Sequence, residues 1–411
     1  MTAAADVSVI VVSHGRPASL ALTLKALEYQ RYRNFEVIVV SDISPAARPD
    51  SPLAVRWFDF ADRNISAARN IGLAAARGDI VAFCDDDAVP EFAWLSHLIP
   101  PFDDPKLGAA GGYTRGRNGV SFQWRCVLFD STGADHPGPD PGDAPRVIAP
   151  QAGRYLKTVG TNCAFRAAAL RQIGGFDAAF RFFLDEADVN LRLAEAGWAT
   201  AIVPLAEVHH GYAAGPFRRA DRVPRSLHEL GASLAHFLNK HAPPAARAAR
   251  LDAFRAEQRQ RLDAHFLSGR LQAAAMHDLL HSLEAGFKEG DARTPVPADF
   301  TAGARGGFAP APLPPPGPAR LFITPLGRTT PPPAARGAAA AGAEVTVVCP
   351  QPGTRPLSVQ FVEDGFFLHR FGLLGRAERD HRRPLSRVRA RIAAECARIA
   401  PQRGVLEPDQ A

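Results

Sequence analysis

The chain has 411 residues, 46% of them hydrophobic, and a formal net charge of +6. That size and composition suit a globular protein of two or more domains, and no apolar stretch reaches the length of a membrane span. The five scattered cysteines, without a CxxC pair, exclude a disulfide framework or a zinc site, and the arginine-rich surplus suits phosphates or acidic lipid headgroups; no nucleic-acid motif accompanies it.

The first residues, MTAAADVSVI, lack a basic region before the apolar run and are not expected to be a signal peptide. Residues 7–110 then alternate strand-like and helix-like segments. VSVIVV (7–12) is a first strand, SHGRP (13–17) a turn, and a helix follows through Leu20, Leu24 and Leu27. FEVIVV (35–40) is a second strand ending at Ser41-Asp42, and VRWF (55–58) a short third one. Residues 66–76 read as a helix with Ser66 as its N-cap. IVAFC (80–84) is a buried strand that ends in three carboxylates, Asp85, Asp86 and Asp87. This alternation predicts a doubly wound, mostly parallel α/β sheet, with ligands outside the carboxyl ends of the strands. Ser13, Asp42 and the triplet all lie at such ends.

Residues 113–157, rich in Gly, Pro and Asp, read mostly as long loops. A strand at 161–165, a helix from Ala167 and the turn GGFD (174–177) lead to an acidic helix start at Asp185-Glu186-Ala187-Asp188. A strand covers 199–204, with His209-His210 shortly after it. Residues 225–288 are helical, broken at Pro243-Pro244. A Pro/Gly/Ala linker spans 292–318, and strand, helix and strand follow at 320–324, 334–341 and 344–348.

Several of these residues carry chemistry. Alternate members of the triplet, Asp85 and Asp87, can face the same way and share one divalent cation; a solvated acidic turn is the competing reading. Asp42 can accept a hydrogen bond from a nucleobase or cap a turn. Arg69, in the first turn of its helix, suits a diphosphate, or is a solvated arginine. Asp185, Glu186 and Asp188 satisfy the positive end of a helix, or one of them serves as a general base. His209 or His210 can complete a metal shell, or the pair lies on the surface. No GxSxG elbow, Walker loop or GxGxxG spacing occurs.

VSVIVVSHGRPASL, VIVVSDIS, NISAARNIGLAAARGDIVAFCDDDAVP, GTNCAFR, IGGFD and FLDEADVNLRLAEAG occur in that order within residues 6–215. Together they resemble glycosyltransferase family 2, inverting enzymes of the GT-A fold. The resemblance implies that Ser13 and Asp42 hold the nucleoside of a nucleotide-sugar donor and that Arg69 approaches its phosphates. Asp85 and Asp87 correspond to the DxD pair that binds donor and metal (Mn²⁺ or Mg²⁺), with Asp86 between them in the donor site. His209 or His210 corresponds to a metal-ligand histidine. Glu186 is the implied base, although Asp185-Glu186 inverts the family's usual Glu-Asp order and keeps Asp185 and Asp188 as candidates. His14-Gly15 departs from the usual Tyr-Asn.

RLFITPLGRTTPPPAARGAAAAGAEVTVVCP and VEDGFFLHRF resemble the opening of a family 4, GT-B-fold glycosyltransferase. The donor-binding half of such an enzyme is missing, so this region is expected to have no activity of its own. The expected organisation is a GT-A domain over 1–222, a helical extension over 223–291, the linker, and a partial Rossmann-like segment over 319–411. The expected activity is metal-dependent, inverting sugar transfer to a hydroxyl on a glycan or lipid-linked acceptor, in cell-surface polysaccharide or glycan synthesis. A non-catalytic nucleotide-sugar-binding or scaffold protein is the alternative. A cytoplasmic location is expected, and Arg218, Arg219, Arg222 and Arg225 either form a solvated basic segment or touch the inner membrane face.

Overall fold

The computed structural model describes residues 4–149, 153–215, 217–300, 306–378 and 387–404. Residues 301–305 of the expected linker, 150–152 of the expected loops, and 379–386 and 405–411 of the expected C-terminal segment lie outside the described residues.

The first half begins with β1 (Val7–Ser13), α1 (Pro17–Glu28), β2 (Phe35–Ser41), β3 (Arg56–Asp59), α2 (Ile65–Ala75) and β4 (Ile80–Asp85). It continues with β5 (Ala88–Pro90), α3 (Trp94–Leu98), β6 (Leu107–Arg115), β7 (Phe122–Trp124), β8 (Val127–Asp130), β9 (Asp135–Pro137), β10 (Arg146–Ile148) and β11 (Arg154–Leu156). Then come β12 (Asn162–Arg166), α4 (Ala167–Gln172), α5 (Asp185–Glu195) and β13 (Ala199–His210). The main path of the central sheet is β10-β13-β6-β12-β4-β1-β2-β3. β1, β2, β3 and β4 are mutually parallel, as are β6 and β13, while β12 runs antiparallel between β4 and β6. The sheet is therefore mostly parallel, as the strand–helix alternation predicts.

Both faces of this sheet are covered, which explains the near-continuous apolar runs. Val7, Val9 and Val11 of β1 pack with Leu20, Leu24 and Leu27 of α1 on one face. Ile10, Ile38 and Val40 pack with Ala68 and Leu73 of α2 on the other. Register places Val12 beside Asp85 and Ser13 beside Ser41, so the chemistry-bearing residues meet at one edge.

Several boundaries differ from those read in the sequence. The cap of α2 is Asn64, whose side chain accepts a hydrogen bond from the Ala67 amide at 3.0 Å; Ser66 instead donates to the Phe180 carbonyl at 2.6 Å. The 113–157 region contains five short strands, β7 to β11, because polar residues between its turns still complete ladders. β13 runs through His209-His210 instead of stopping at Pro204, since its last three residues pair antiparallel with β5.

The helical region resolves into α6 (His228–His241), α7 (Pro244–Leu267) and α8 (Ala273–Ala292). Their apolar faces enclose Phe129, Phe180, Leu184 and Leu191, so this layer shares a core with α5. Asp188 of α5 is fully buried and pairs with Arg192, Lys240 and His241. Burial pushes its carboxyl up, but the hydrogen bond with His241 and the charges of Arg192 and Lys240 outweigh it and hold Asp188 down at about 2. A depressed carboxyl stabilises the fold above its unfolded value and loses that effect as pH falls through its folded one. Asp188→Asn is therefore expected to cost about 2 kcal/mol near neutral pH. That gap should close in melting curves recorded near pH 2.

The described part of the expected linker is tied down. Ala178 N–H donates to Val296, Ala298 N–H to Gly174 and Ala311 N–H to Phe35, and Ala311 joins the main core. Beyond it come β14 (Gly317–Ile323), α9 (Pro333–Ala340), β15 (Ala343–Gln351), β16 (Ser358–Val362), β17 (Phe366–Gly372) and α10 (Val388–Arg403). They form a second sheet of order β14-β15-β17-β16, whose first three strands are parallel. Among the described residues no helix is long and apolar enough to cross a membrane.

Candidate active site

The triplet straddles the end of β4, and its members diverge. Asp86 is fully buried and turns toward α1, accepting from Ser13 Oγ at 2.6 Å and from Arg16 Nε at 3.0 Å. Burial pushes its carboxyl up to about 7 against the opposing pull of Arg16 and Ser13, with Asp87 and Asp85 adding to the rise. Asp85 and Asp87 line the cleft beside Arg16. Thr161 Oγ1 donates to Asp85 Oδ2 at 2.7 Å, and the Ala213 amide donates to Asp87 Oδ2 at 2.6 Å.

The β5–β13 pairing sets Ala88 opposite His210, and the Gly211 amide donates to the Asp87 carbonyl at 2.7 Å. His210 Nε2 then lies 3.3 Å from Asp87 Oδ1. Its Nδ1 meets Gln123 Oε1 at 2.8 Å, a contact that orients the ring with Nε2 toward the carboxylates. One ligand atom from each of Asp85, Asp87 and His210 falls within a 4.8 Å span. Two carboxylate oxygens and an imidazole nitrogen suit Mn²⁺, and Mg²⁺ with more retained water. Asp87 is held down at about 2: burial raises it, but His210, Arg16 and the Ala213 amide prevail. It is ready to coordinate as an anion.

This group borders a cleft of about 300 Å³ that Val12, Ser13, His14, Phe60, Asp85 and His210 help to line. Asp42 lies behind its rim, accepting from the Gly15 amide at 2.7 Å and facing His14 Nδ1 at 3.0 Å.

On the other side of Asp85, Arg69 projects from α2 with its guanidinium buried between the Phe83 and Phe176 rings. It contacts Asp185 and Glu186 through Nη1 (Glu186 at 2.8 Å), and its Nη2 lies 3.9 Å from Asp85. Arg69 thus faces the acid pair and does not line the cleft. The Gly160 amide donates to the same Glu186 oxygen at 2.8 Å. Burial pushes Glu186 up, but Arg69 and the hydrogen bond with Asp185 outweigh it and keep Glu186 below the usual carboxylate range. Asp185 is pushed well up by burial and by the Glu186 charge.

A β-carbon at Gly160 would fall 1.7 Å from Arg69 Nη2 and 2.3 Å from Glu186 Oε1. Gly160→Ala is therefore expected to cost about 1–3 kcal/mol in thermal unfolding, as overpacked sites do. It should also displace the Arg69–Glu186 pair. The backbone just before the pair is unusual as well: Phe183 and Leu184 have φ of 80° and 62°.

The structure thus brings together Ser13, Arg69, Asp85, Asp86, Asp87, Asp185, Glu186 and His210, with Asp42 at the rim. It does not bring in His209 or Asp188. Successive strand residues point to opposite faces, so His209 turns from the triplet and meets Glu91 at 2.8 Å. Asp188 is consumed by Arg192, Lys240 and His241. Gln123 escaped sequence reading because a lone glutamine in a loop-like stretch carries no signal. Gly160 and Thr161 lie in the GTNCAFR segment, but spacing alone gave them no role.

Residues 8–174 match the family model described as Glycosyl transferase family 2. The chain is 28% identical to "Pre-mycofactocin glycosyltransferase" of Mycobacterium tuberculosis over 218 residues, 50% of this chain and 43% of that protein. It is 35% identical to "Hyaluronan synthase" of Pasteurella multocida over 114 residues, 25% of this chain and 12% of that protein. It spans less than half the length of these curated relatives. Among solved structures it resembles a mannosyltransferase from Pyrobaculum calidifontis in complex with GDP-Man and Mn²⁺, with 20% identity, a TM-score of 0.42, and coverage of 70% of this chain and 88% of that one.

Proposed function

We propose that the chain is an inverting, metal-dependent glycosyltransferase that moves a sugar from a nucleotide-sugar donor to an acceptor hydroxyl. The observation that carries this reading is the Asp85–Asp87–His210 cluster on a cleft, with Glu186 held by Arg69 on the other side of Asp85. The family 2 match and a relative named as a glycosyltransferase support it.

Asp85, Asp87 and His210 would hold Mn²⁺ or Mg²⁺, and the bound metal would neutralise charge on the leaving diphosphate. Ser13 lines the cleft where the nucleoside would lie, with Asp42 behind its rim. Glu186 would take the proton of the acceptor hydroxyl as it attacks opposite the leaving group. Arg69 fixes both carboxylates of the pair. Asp86 ties the turn after β1 to the triplet. A glycan or lipid-linked acceptor, in polysaccharide or glycan synthesis, fits this chemistry. Residues 319–411, which resemble the start of a family 4 enzyme, are assigned no transfer chemistry of their own.

The test is a panel of nucleotide sugars incubated with the purified chain and Mn²⁺ or Mg²⁺. Metal-dependent release of nucleoside diphosphate with one donor is expected, and silence across the panel would sink the proposal.

A further inference from the structure

The last helix ends in a buried arginine. Arg403 of α10 is 2% exposed, and it grips both oxygens of Glu91: Nε donates to Oε2 at 2.9 Å and Nη2 to Oε1 at 2.7 Å. Nη1 meets Thr346 Oγ1 at 3.1 Å and His369 Nε2 at 2.8 Å, both in the second sheet. The guanidinium stacks 3.9 Å from the centre of the Phe367 ring. Glu91 is also the partner of His209, 2.8 Å away.

Glu91 follows β5, and Asp87 precedes it. His209 directly precedes His210. Arg403 therefore clamps the far end of the short strand that begins just after Asp87, together with the neighbour of His210. Both strands whose pairing brings Asp87 and His210 together are held at this one point. The second sheet reaches the same pair from another side. Val359 and Phe361 of β16 wall a second cavity, of about 290 Å³, that Asp87 and His210 also line. Val359 N–H donates to Asn118 at 2.8 Å, in the turn between β6 and β7.

We infer that Arg403 is a positioning residue: through Glu91 and His209 it sets the Asp87–His210 geometry, which makes the second sheet and α10 part of the candidate metal site's frame. The inference rests on the metal reading above. A bidentate ion pair with three further contacts fixes a strand end in direction as well as distance, which apolar packing alone does less sharply.

The experiment uses the full chain and Mn²⁺ alone, titrated with free Mn²⁺ followed by electron paramagnetic resonance. Arg403→Met and Arg403→Lys, checked for cooperative melting, are compared with Arg31→Gln. The latter removes the Arg31–Glu344 bridge, which joins the same two layers without touching Glu91 or His209. Mn²⁺ affinity is expected to fall at least about tenfold in the Arg403 variants, the size of effect seen when residues behind a metal ligand are changed. It should stay at the wild-type value in Arg31→Gln. Arg403→Lys keeps the buried charge, so it serves where Arg403→Met fails to fold. Unchanged affinity in a folded Arg403 variant, or an equal fall in Arg31→Gln, overturns the inference. A wild-type chain that binds no Mn²⁺ would overturn the metal reading instead. The positioning claim then stands or falls on the ¹⁵N signals of the His210 imidazole, expected to shift in the Arg403 variants and not in Arg31→Gln.

Discussion

Replacing Glu186 with glutamine is expected to lower kcat by about 10²- to 10⁴-fold, the range over which a positioned general base contributes. Donor binding should persist, because Glu186 does not line the cleft. Glutamine keeps the shape and can still accept from the Gly160 amide through its carbonyl oxygen. It loses the charge that would receive a proton and that helps balance Arg69. Steady-state kinetics on the donor found in the panel, with donor Kd measured separately, checks this. A kcat within a few-fold of wild type would remove Glu186 from the mechanism. Asp188→Asn is the contrasting variant, since it should change stability and leave turnover almost untouched.

The second large effect is expected at Asp87. Asp87→Asn removes one of two anionic ligands from the Asp85–Asp87–His210 cluster and uncouples His210 from its partner. A change behind a metal ligand costs 10- to 100-fold in affinity, so the loss of a direct ligand should cost about 100-fold or more in Mn²⁺ affinity. Asp86→Asn should matter much less to Mn²⁺, because that carboxylate is spent on Ser13 and Arg16. Calorimetric titration of both variants with Mn²⁺ separates the two carboxylates. Equal losses would mean that the triplet acts as a diffuse negative patch and not as a directed pair.

The fold was largely legible because a parallel sheet covered on both faces writes itself as short apolar runs with polar ends. β1, β2 and β4 fall where the sequence puts them. The edge of the site was legible for the same reason: Ser13, Asp42 and Asp85 are all strand-end residues. What escaped reading depends on pairing between distant segments. The apolar pattern ends β13 at Pro204, whereas its last residues owe their strand state to β5, more than a hundred positions earlier. That same pairing decides which histidine of two faces Asp87. Gln123 becomes relevant only once β7 is laid against β6. Asp188 looked like a third candidate base, and its partners Lys240 and His241 lie on a helix that nothing in the acidic run announces.

The left-handed pair Phe183-Leu184 has a consequence for what counts as the working unit. Two adjacent non-glycine residues in this conformation cost of order 1–3 kcal/mol each and persist only where neighbours enforce them. Here the enforcement comes from the helical layer: Leu184 is buried among residues of α6 to α8, and the Phe183 ring stacks on Phe254 of α7. The turn that launches Asp185 and Glu186 into place is thus paid for by residues well beyond the segment matching the family. A chain ended after β13 would keep every motif that marks the family and still lack the scaffold that aims the acid pair. Sequence ancestry and mechanical competence have different borders in this molecule.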